Sequence, residues 1–340
     1  MPTPAPSMRP LLRIALMLGA LTQLSCAVGG LTPATHSQPA ERLGLAPEFR
    51  IFYDALQDQG DWVYIQPHGY VFRPNVNFIT WRPYEDGFWA PSDIYGWTWI
   101  SAEPFGWATY HYGTWFYDRY YGWVWGPGRD WGPAWVAWQV ADDYAGWSPL
   151  LDPASVDDQI RGGPWTYVPL RTLGSTDLAS HVVHESDLRG RVQNVTPVQN
   201  LAERGGVLVN RGPDFDLVEK VAGSLPRVKI EPLEPAAAPG AATAGRPGAA
   251  KGGAKSNFKP GAWGSEKSTP PAVLESVHRA ADDAARRARA VVDRGGPPPA
   301  SVQVIQPVLP PPATATKPGW KKFPRAPGAG IGGAADTTAH

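Results

Sequence analysis

The sequence has one cysteine, three methionines and no apolar run of the about 18 residues that a membrane-spanning helix needs. A single cysteine excludes a disulfide framework and any zinc site built on several cysteines. Neither a phosphate-binding P-loop nor a dinucleotide-binding glycine motif is present. The sequence therefore predicts no cofactor, no metal site and no catalytic residue.

The balanced total charge, with 31 Lys and Arg against 31 Asp and Glu, conceals a division along the chain. Residues 26–235 carry 15 basic and 25 acidic side chains, a net charge of −10, whereas residues 236–340 carry 14 basic and 6 acidic ones, a net charge of +8. A basic tail could bind nucleic acid, but the export signal described next argues against that partner. Anionic envelope polymers, lipid A phosphates or the acidic domain itself suit the tail better. The alternative is a solvated spacer that keeps the protein soluble.

The first residues have the order of a secretory signal. A short basic segment at 8–13 precedes the apolar run Ile14 to Leu24 and then Ser25-Cys26-Ala27. Cys26 lies where bacterial lipoproteins carry their acylated residue, and Ala27 resembles the outer-membrane sorting pattern. Cleavage after Ala27 is the alternative. We expect an exported protein whose Cys26 carries a lipid anchor in the outer membrane, facing the periplasm or the surface.

Composition divides the chain into four segments. Residues 1–25 are the predicted signal peptide, 26–45 a tether, and 46–235 a domain rich in Trp and Tyr. Residues 236–340 contain 25 Ala, 14 Gly and 15 Pro. Such a segment buries too little apolar surface to order itself, so we expect a disordered tail with one helix at 272–292.

Aromatic residues recur at short, regular intervals in the domain. Residues 81–147 hold 12 of the 16 Trp. One series consists of Trp81, Trp89, Trp97, Trp107, Trp115, Trp123 and Trp131, in which all steps but one are eight residues long. Short spacing with Gly and Pro between the aromatics predicts antiparallel hairpins. The expected fold is mainly β, a small antiparallel aromatic-rich sheet or a partly closed barrel with short flanking helices. One of these helices should begin at Pro47 and stop before Gly60.

Several motifs resemble an uncharacterised family of exported Trp/Tyr-rich bacterial proteins. They are Trp81-Arg82-Pro83-Tyr84, Gly96-Trp97-Thr98-Trp99, the runs 106–115 and 121–125, Trp131-Gly132-Pro133-Ala134-Trp135-Val136, Gly146-Trp147-Ser148-Pro149 and Val209-Asn210-Arg211-Gly212-Pro213. The resemblance covers roughly 47–232 and implies one contiguous envelope domain that includes Asn210–Pro213. It carries no assigned activity.

Three pairs of rings are candidates for ligand binding, because residues two apart on a strand lie on one face about 6–7 Å apart. The pairs are Trp97/Trp99, Trp115/Tyr117 and Trp123/Trp125. Sugar rings present C–H groups that stack on such side chains. Since a small domain needs most of its rings for its core, we expect one pair to be exposed and the others buried.

The predicted function is non-enzymatic: a lipid-anchored envelope protein that binds peptidoglycan or surface polysaccharide through exposed aromatics. The alternative is a glycan-cleaving enzyme that uses two carboxylates. The acidic residues among the aromatics are Glu103, Asp118, Asp130, Asp142 and Asp143. Asp is common in turns, so a structural role is the simpler interpretation of these residues. His181 and His184 form an H-x-x-H pair without a third ligand, which disfavours a metal site.

Overall fold

A computed structural model of the chain describes residues 38–151, 164–233, 271–307 and 309. The predicted signal peptide, Cys26 and residues 26–37 of the predicted tether lie outside the described residues. Residues 152–163 and 234–235 of the predicted domain do so as well, as do residues 236–270, 308 and 310–340 of the predicted tail. None of the helices in the described ranges combines the length and the apolar character needed to cross a membrane.

Most of the described elements are strands, as the aromatic spacing predicts. They are β1 Gly60–Ile65, β2 Gly69–Pro74, β3 Gly87–Ser92, β4 Gly96–Ser101, β5 Tyr112–Asp118, β6 Gly122–Trp131, β7 Val136–Ala141, β8 Tyr144–Pro149, β9 Thr166–Pro169, β10 Val183–His184, β11 Val195–Val198, β12 Leu201–Arg204, β13 Val207–Asn210, β14 Lys229–Leu233 and β15 Ser301–Ile305.

The strands form several small sheets. One has the order β1-β2-β6-β5, a second has the order β10-β9-β8-β7-β11, and β3-β4 and β12-β13 are separate hairpins. All of these are antiparallel, whereas β14 and β15 pair in parallel. The mainly-β, aromatic-rich fold is confirmed. Of the two predicted arrangements, the described strands form small open sheets rather than a barrel.

Short helices flank the sheets, and a longer one lies near the end of the chain. They are α1 Ala40–Gly44, α2 Arg50–Leu56, α3 Gly106–Thr109, α4 Glu185–Leu188, α5 Phe215–Ala222 and α6 Pro271–Val292. A 3-10 turn at Pro47–Phe49 leads into α2, whose residues from Ile51 to Leu56 are all buried. The helix predicted between Pro47 and Gly60 is therefore present.

Glycines at strand starts explain why short hairpins form. Gly69, Gly96 and Gly122 each begin the second strand of a hairpin, with φ angles of 81°, 79° and 74°. Residues with a side chain rarely adopt this left-handed backbone conformation, whereas glycine adopts it freely. At Gly96 a Cβ atom would also lie 2.3 Å from the carbonyl oxygen of Arg211. The chain can therefore reverse every eight to ten residues, which sets the spacing of the tryptophans.

Tryptophans from separate hairpins meet in the core. Trp89 on β3 faces its cross-strand partner Trp99 at 5.0 Å between ring centroids. It also contacts Trp138 on β7 at 4.5 Å and Trp147 on β8 at 5.6 Å. All four rings are fully buried. Aromatic pairs at these separations stabilise a core beyond the area they bury.

The 209–213 stretch packs beside this core, as the family resemblance implies. The indole N–H of Trp97 donates to the carbonyl oxygen of Pro213 at 3.0 Å, and the backbone N–H of Trp97 donates to that of Arg211. Asn210 and Val209 are buried. The later stretch thus belongs to the same unit as the aromatic hairpins.

The domain begins earlier than predicted. The predicted tether extends to residue 45, but α1 lies within it and packs on α2. The buried guanidinium of Arg42 forms two hydrogen bonds with the carboxylate of Asp54, at 2.6 and 2.8 Å. A buried, doubly bonded ion pair fixes the geometry of both partners, so residues 40–45 are part of the fold.

The domain also extends beyond residue 235. The helix predicted at 272–292 is present as α6, but it packs against α2, α3, β3 and β4 and is followed by β15. Val277, Ala281, Ala288, Val304 and Ile305 are buried in this contact. The predicted helix thus docks on the domain, and the prediction of a disordered tail is wrong for residues 293–305, which lead from the helix into β15. Because alanine side chains are small, α6 can approach the neighbouring elements closely and bury one face of the helix against their larger side chains.

Candidate functional site

Five of the six predicted ligand-binding rings lie in the core. Trp97, Trp99, Trp115, Trp123 and Trp125 are buried, and only Tyr117, with 60 % of its surface exposed, faces solvent. No predicted pair is exposed as a pair. This corrects the predicted aromatic platform, because a ring without accessible faces cannot stack on a sugar.

Neighbouring elements cover the rings that the strand pattern alone would leave open. Phe215 on α5 contacts Trp97 at 5.4 Å, and Phe52 on α2 contacts Trp125 at 5.4 Å. Tyr84 and Trp89 enclose Trp99. Helices and loops that are distant in sequence thus close the faces of these strands.

A different apolar surface is exposed at the turn between β5 and β6 and on the β2–β3 loop beside it. Its members are Phe78, Ile79, Tyr117 and Tyr120, with exposed fractions of 53, 79, 60 and 76 %. We call these four residues the hairpin-tip surface. Clustered exposed apolar side chains are typical of interaction sites, whereas isolated ones are common on any protein surface. Only Tyr117 is among the predicted site residues.

The β5–β6 turn holds Tyr117 and Tyr120 in place. The carboxylate of Asp118 accepts hydrogen bonds from the backbone N–H groups of Tyr120 and Tyr121 at 2.7 and 3.0 Å. This is the local bonding pattern by which Asp stabilises a turn. Tyr117 packs edge-on against Trp123, its partner on β6, at 5.7 Å. The turn is therefore preorganised by its own side chains.

The loop between β2 and β3 carries the other two members of the surface. The Asn77 side chain accepts from the backbone N–H of Ile79 at 3.1 Å, and its carbonyl oxygen accepts from that of Trp81 at 2.9 Å. Phe78 lies against the start of β6, since a Cβ on Gly122 would be 3.4 Å from the Cβ of Phe78. Phe78 and Ile79 thus lie beside the β5–β6 turn.

Two arginines flank the exposed rings. The Arg119 guanidinium lies 4.7 Å from the centre of the Tyr120 ring, and that of Arg73 lies 5.8 Å from the centre of the Phe78 ring. Both separations are within the range of cation–π attraction. The surface therefore combines flat rings with donors for hydroxyl or anionic groups.

Behind this surface, Trp81 joins the loop to a buried carboxylate. Its ring packs on Trp115 at 5.2 Å, and its indole N–H donates to Glu103 Oε1 at 2.6 Å. The hydroxyl groups of Tyr110 and Ser101 donate to Glu103 Oε2. Glu103 lies two residues after the end of β4 and is buried. Three donors from separate parts of the chain thus converge on one carboxylate.

The environment of Glu103 favours its neutral form. Burial raises the pKa of Glu103 to about 7, because desolvation of the charge outweighs the three hydrogen bonds that favour ionisation. The charge of Asp86 raises it further. Asp86 itself forms two hydrogen bonds with the Arg289 guanidinium of α6, one of them at 2.8 Å. Glu103 therefore titrates near neutral pH.

His111, next to Tyr110, is a neutral packed ring. Its Nδ1 lies 2.8 Å from the carbonyl oxygen of Gly132, and its ring stacks on Trp131. Burial lowers the pKa of His111 to about 4. The imidazole is thus uncharged in the range where Glu103 titrates.

Two of the remaining acidic candidates stabilise turns, and Asp130 and Asp143 are exposed. Asp118 stabilises the β5–β6 turn. Asp142 lies between β7 and β8 with a φ of 49°. Its carboxylate accepts hydrogen bonds from the backbone N–H of Gln193 and the side-chain amide of Asn194, each at 2.8 Å. These hydrogen bonds lower the pKa of Asp142.

His181 and His184 have separate partners. His184 Nε2 lies 2.9 Å from Glu85, whereas His181 Nε2 lies 3.4 Å from Asp177. Among residues 38–151, 164–233 and 271–309 that the structure describes, no three His, Cys, Asp or Glu side chains are placed to hold a metal ion.

Comparison with known proteins gives one result. Residues 53–154 match the model of a family of unknown function (DUF6600). No curated protein and no solved structure matches the sequence. The matched segment runs from α2 to just beyond β8, so it contains the four residues of the hairpin-tip surface and Glu103.

Sequence reasoning missed Phe78, Ile79 and Tyr120. A local signal existed for Tyr120, since Asp118-Arg119-Tyr120-Tyr121-Gly122 has the composition of a turn and turn side chains project into solvent. Phe78 and Ile79 had no such signal, because their exposure depends on where the loop packs.

Proposed function

We propose that this protein is an exported, lipid-anchored component of the bacterial cell envelope that binds glycan or cell-wall polymer without cleaving it. The basic segment, apolar run and Cys26 at the start of the sequence support the location. The contact with polymer is assigned to the hairpin-tip surface. The basic tail is a second contact for anionic envelope polymers.

One observation carries the proposal: four large apolar side chains are exposed on two neighbouring, tightly bonded loops, in a domain that buries most of its other rings. Tyrosine suits such a site because its ring stacks on apolar sugar faces while its hydroxyl group bonds to sugar hydroxyls. Little conformational entropy is lost on binding, since the turn is already ordered.

The test compares purified full-length protein with the Tyr117→Ala/Tyr120→Ala variant in co-sedimentation with peptidoglycan and with surface polysaccharide. Tyr64→Ala is the matched control, because Tyr64 is similarly exposed but packs against Tyr70 on β2, outside the hairpin-tip surface. The double variant should lose most of its binding and keep its melting temperature. The control should bind as wild type does.

Equal binding by the double variant and the wild type to every polymer would overturn the proposal. So would equal losses in the double variant and the control, because the contact would then not be local to the hairpin tip.

A glycan-cleaving enzyme is the second candidate, favoured by the raised pKa of Glu103. A carboxyl group with a pKa of about 7 can act as a general acid. Its bonding opposes this role: both oxygens accept from protein donors, and Asp86 is held by Arg289. Incubation of wild type and Glu103→Gln with the same polymers distinguishes the candidates. Soluble fragments released by wild type alone, detected by mass spectrometry, would establish cleavage.

A further inference from the structure

A cavity of about 450 Å³ lies between α6 and β15 on one side and β4 and α3 on the other. Its volume is within the usual range of about 300–1,000 Å³ for small-molecule sites. It is separate from the four residues of the hairpin-tip surface, none of which lines it.

The walls of the cavity are mainly apolar. Phe88, Ile100 and Trp107 line the side of the domain, and Val302, Val304 and Ile305 of β15 line another. The helix contributes Ala281, Ala284, Ala285 and Ala288. These four alanines recur at helical spacing and so share one face. Ala281 and Ala288 are buried against the domain, whereas Ala284 and Ala285 are half-buried and line the open part of the cavity.

Two arginines border the cavity. Arg287 lies on α6 and Arg294 lies in the turn that follows the helix, and both are exposed. Among the described residues neither forms an ion pair with a carboxylate. Asp283 pairs with Arg286 rather than with Arg287, and the guanidinium Nε of Arg294 donates to the Ala290 carbonyl oxygen at 2.7 Å.

The polar groups of the domain side do not compensate these two charges. Ser101, Glu103 and His111 line the cavity, but Ser101 and Glu103 bond to each other and His111 is bonded to Gly132. An anionic group is therefore favoured beside the arginines and disfavoured beside Glu103. An apolar body is favoured between them.

We propose that this cavity binds a small amphipathic anion, a molecule with an acyl chain or similar apolar body and one carboxylate or phosphate group. The apolar body lies along the part of the cavity that Ala284, Ala285 and Val291 of α6 and Val302 of β15 line. The anionic group pairs with Arg287 and Arg294. This site is independent of polymer binding at the hairpin tip.

The test uses isothermal titration of full-length protein with decanoate and decyl phosphate, which share a chain and differ in the anionic group. Decyltrimethylammonium is the control for the chain alone. Both anions should bind and the cation should not. The anion that binds more tightly identifies the preferred head group. Equal affinity for the cation, or no heat of binding for either anion at millimolar concentration, would overturn the proposal.

Variants of α6 and of the turn that follows it locate the site. Arg287→Gln/Arg294→Gln should weaken binding of both anions about tenfold, as expected for the loss of two exposed ion pairs. Arg279→Gln/Arg286→Gln is the matched control, because it removes the same amount of charge from α6 at residues outside the cavity. It should change the affinity less than about twofold. Equal losses in the two double variants would show a general charge effect and contradict the site.

Ala284→Leu tests the apolar part. The larger side chain should occupy the cavity and reduce the affinity for decanoate, while the melting temperature shows that the variant is folded. Unchanged affinity in a folded Ala284→Leu protein would place the ligand elsewhere and refute the assignment.

Discussion

Trp115 and Tyr117 lie two residues apart on β5 and on the same face of the sheet, yet the first is buried and the second is exposed. The difference arises because Trp81, Phe105 and Tyr110 surround Trp115, whereas Tyr117 contacts only Trp123 among the rings of the described residues. Strand alternation assigns a side chain to a face, and packing at each end of the strand decides whether it is covered.

Alanine substitutions at these two positions should therefore differ strongly. Trp115→Ala should lower the free energy of unfolding by ~3–5 kcal/mol, as truncation of a buried aromatic residue does. Tyr117→Ala should lower it by less than about 1 kcal/mol. Chemical denaturation of the two variants measures both values. Similar losses would mean that Tyr117 is also part of the core.

Glu103 and His111 make opposing contributions to the pH dependence of stability. The pKa of Glu103 rises from its ordinary value of 4.5 to about 7 in the folded protein. Between these values the folded state binds more protons than the unfolded state, so stability falls as the pH rises. The pKa of His111 falls from 6.5 to about 4, so stability rises with pH in that range. The two effects largely cancel between pH 4.5 and 6.5.

Replacing Glu103 with Gln should expose the contribution of His111. We expect the stability of Glu103→Gln relative to wild type to increase by about 3 kcal/mol as the pH rises from 4.5 to 7. Urea denaturation of both proteins at several pH values measures this difference in stability. Any effect of the amide that does not depend on pH cancels when the differences at two pH values are compared. A difference independent of pH would show that folding does not shift the pKa of Glu103.

At the scale of elements, α6 and β15 join residues far apart in the chain. The parallel pairing of β14 with β15 requires a crossover, and α6 lies within it. The Arg289–Asp86 pair and the hydrogen bond from the Thr176 hydroxyl to the Gly296 carbonyl oxygen attach this segment to the domain. An arginine of the predicted basic tail thus contacts the acidic domain directly.

Truncation should reveal this attachment. A chain that ends at residue 309 should melt near the temperature of the full chain. In a chain that ends at residue 270, the free energy of unfolding should fall by about 3 kcal/mol or more, because Val277, Val304 and Ile305 no longer contribute buried surface. The melting temperature should fall by about 10 °C. Calorimetry measures both chains. Identical melting of the two would mean that α6 and β15 contribute nothing to stability.

At the scale of the whole molecule, the lipid anchor remains a prediction from the sequence. Cys26→Ala should move the protein from the membrane fraction to the soluble periplasmic fraction, since an acylated cysteine supplies the membrane contact. Fractionation of cells that express each form measures the change. Unchanged membrane partitioning would refute acylation of Cys26, and processing after Ala27 in the wild type would favour the alternative signal.

Local sequence was sufficient to predict the hairpins, α2 and the span of α6. Turn glycines, alternating aromatics and helical spacing act over a few residues, so they can be recognised without the rest of the chain. Only the tertiary structure decided that five of the six candidate rings are buried, because α2, α5 and distant hairpins cover them. The same holds for the docking of an Ala-rich helix, which needs the large side chains of β3 and β4 as partners. The raised pKa of Glu103 likewise depends on burial among Trp81, Ser101 and Tyr110, which lie in the β2–β3 loop, at the end of β4 and just after α3 and meet only in the folded chain.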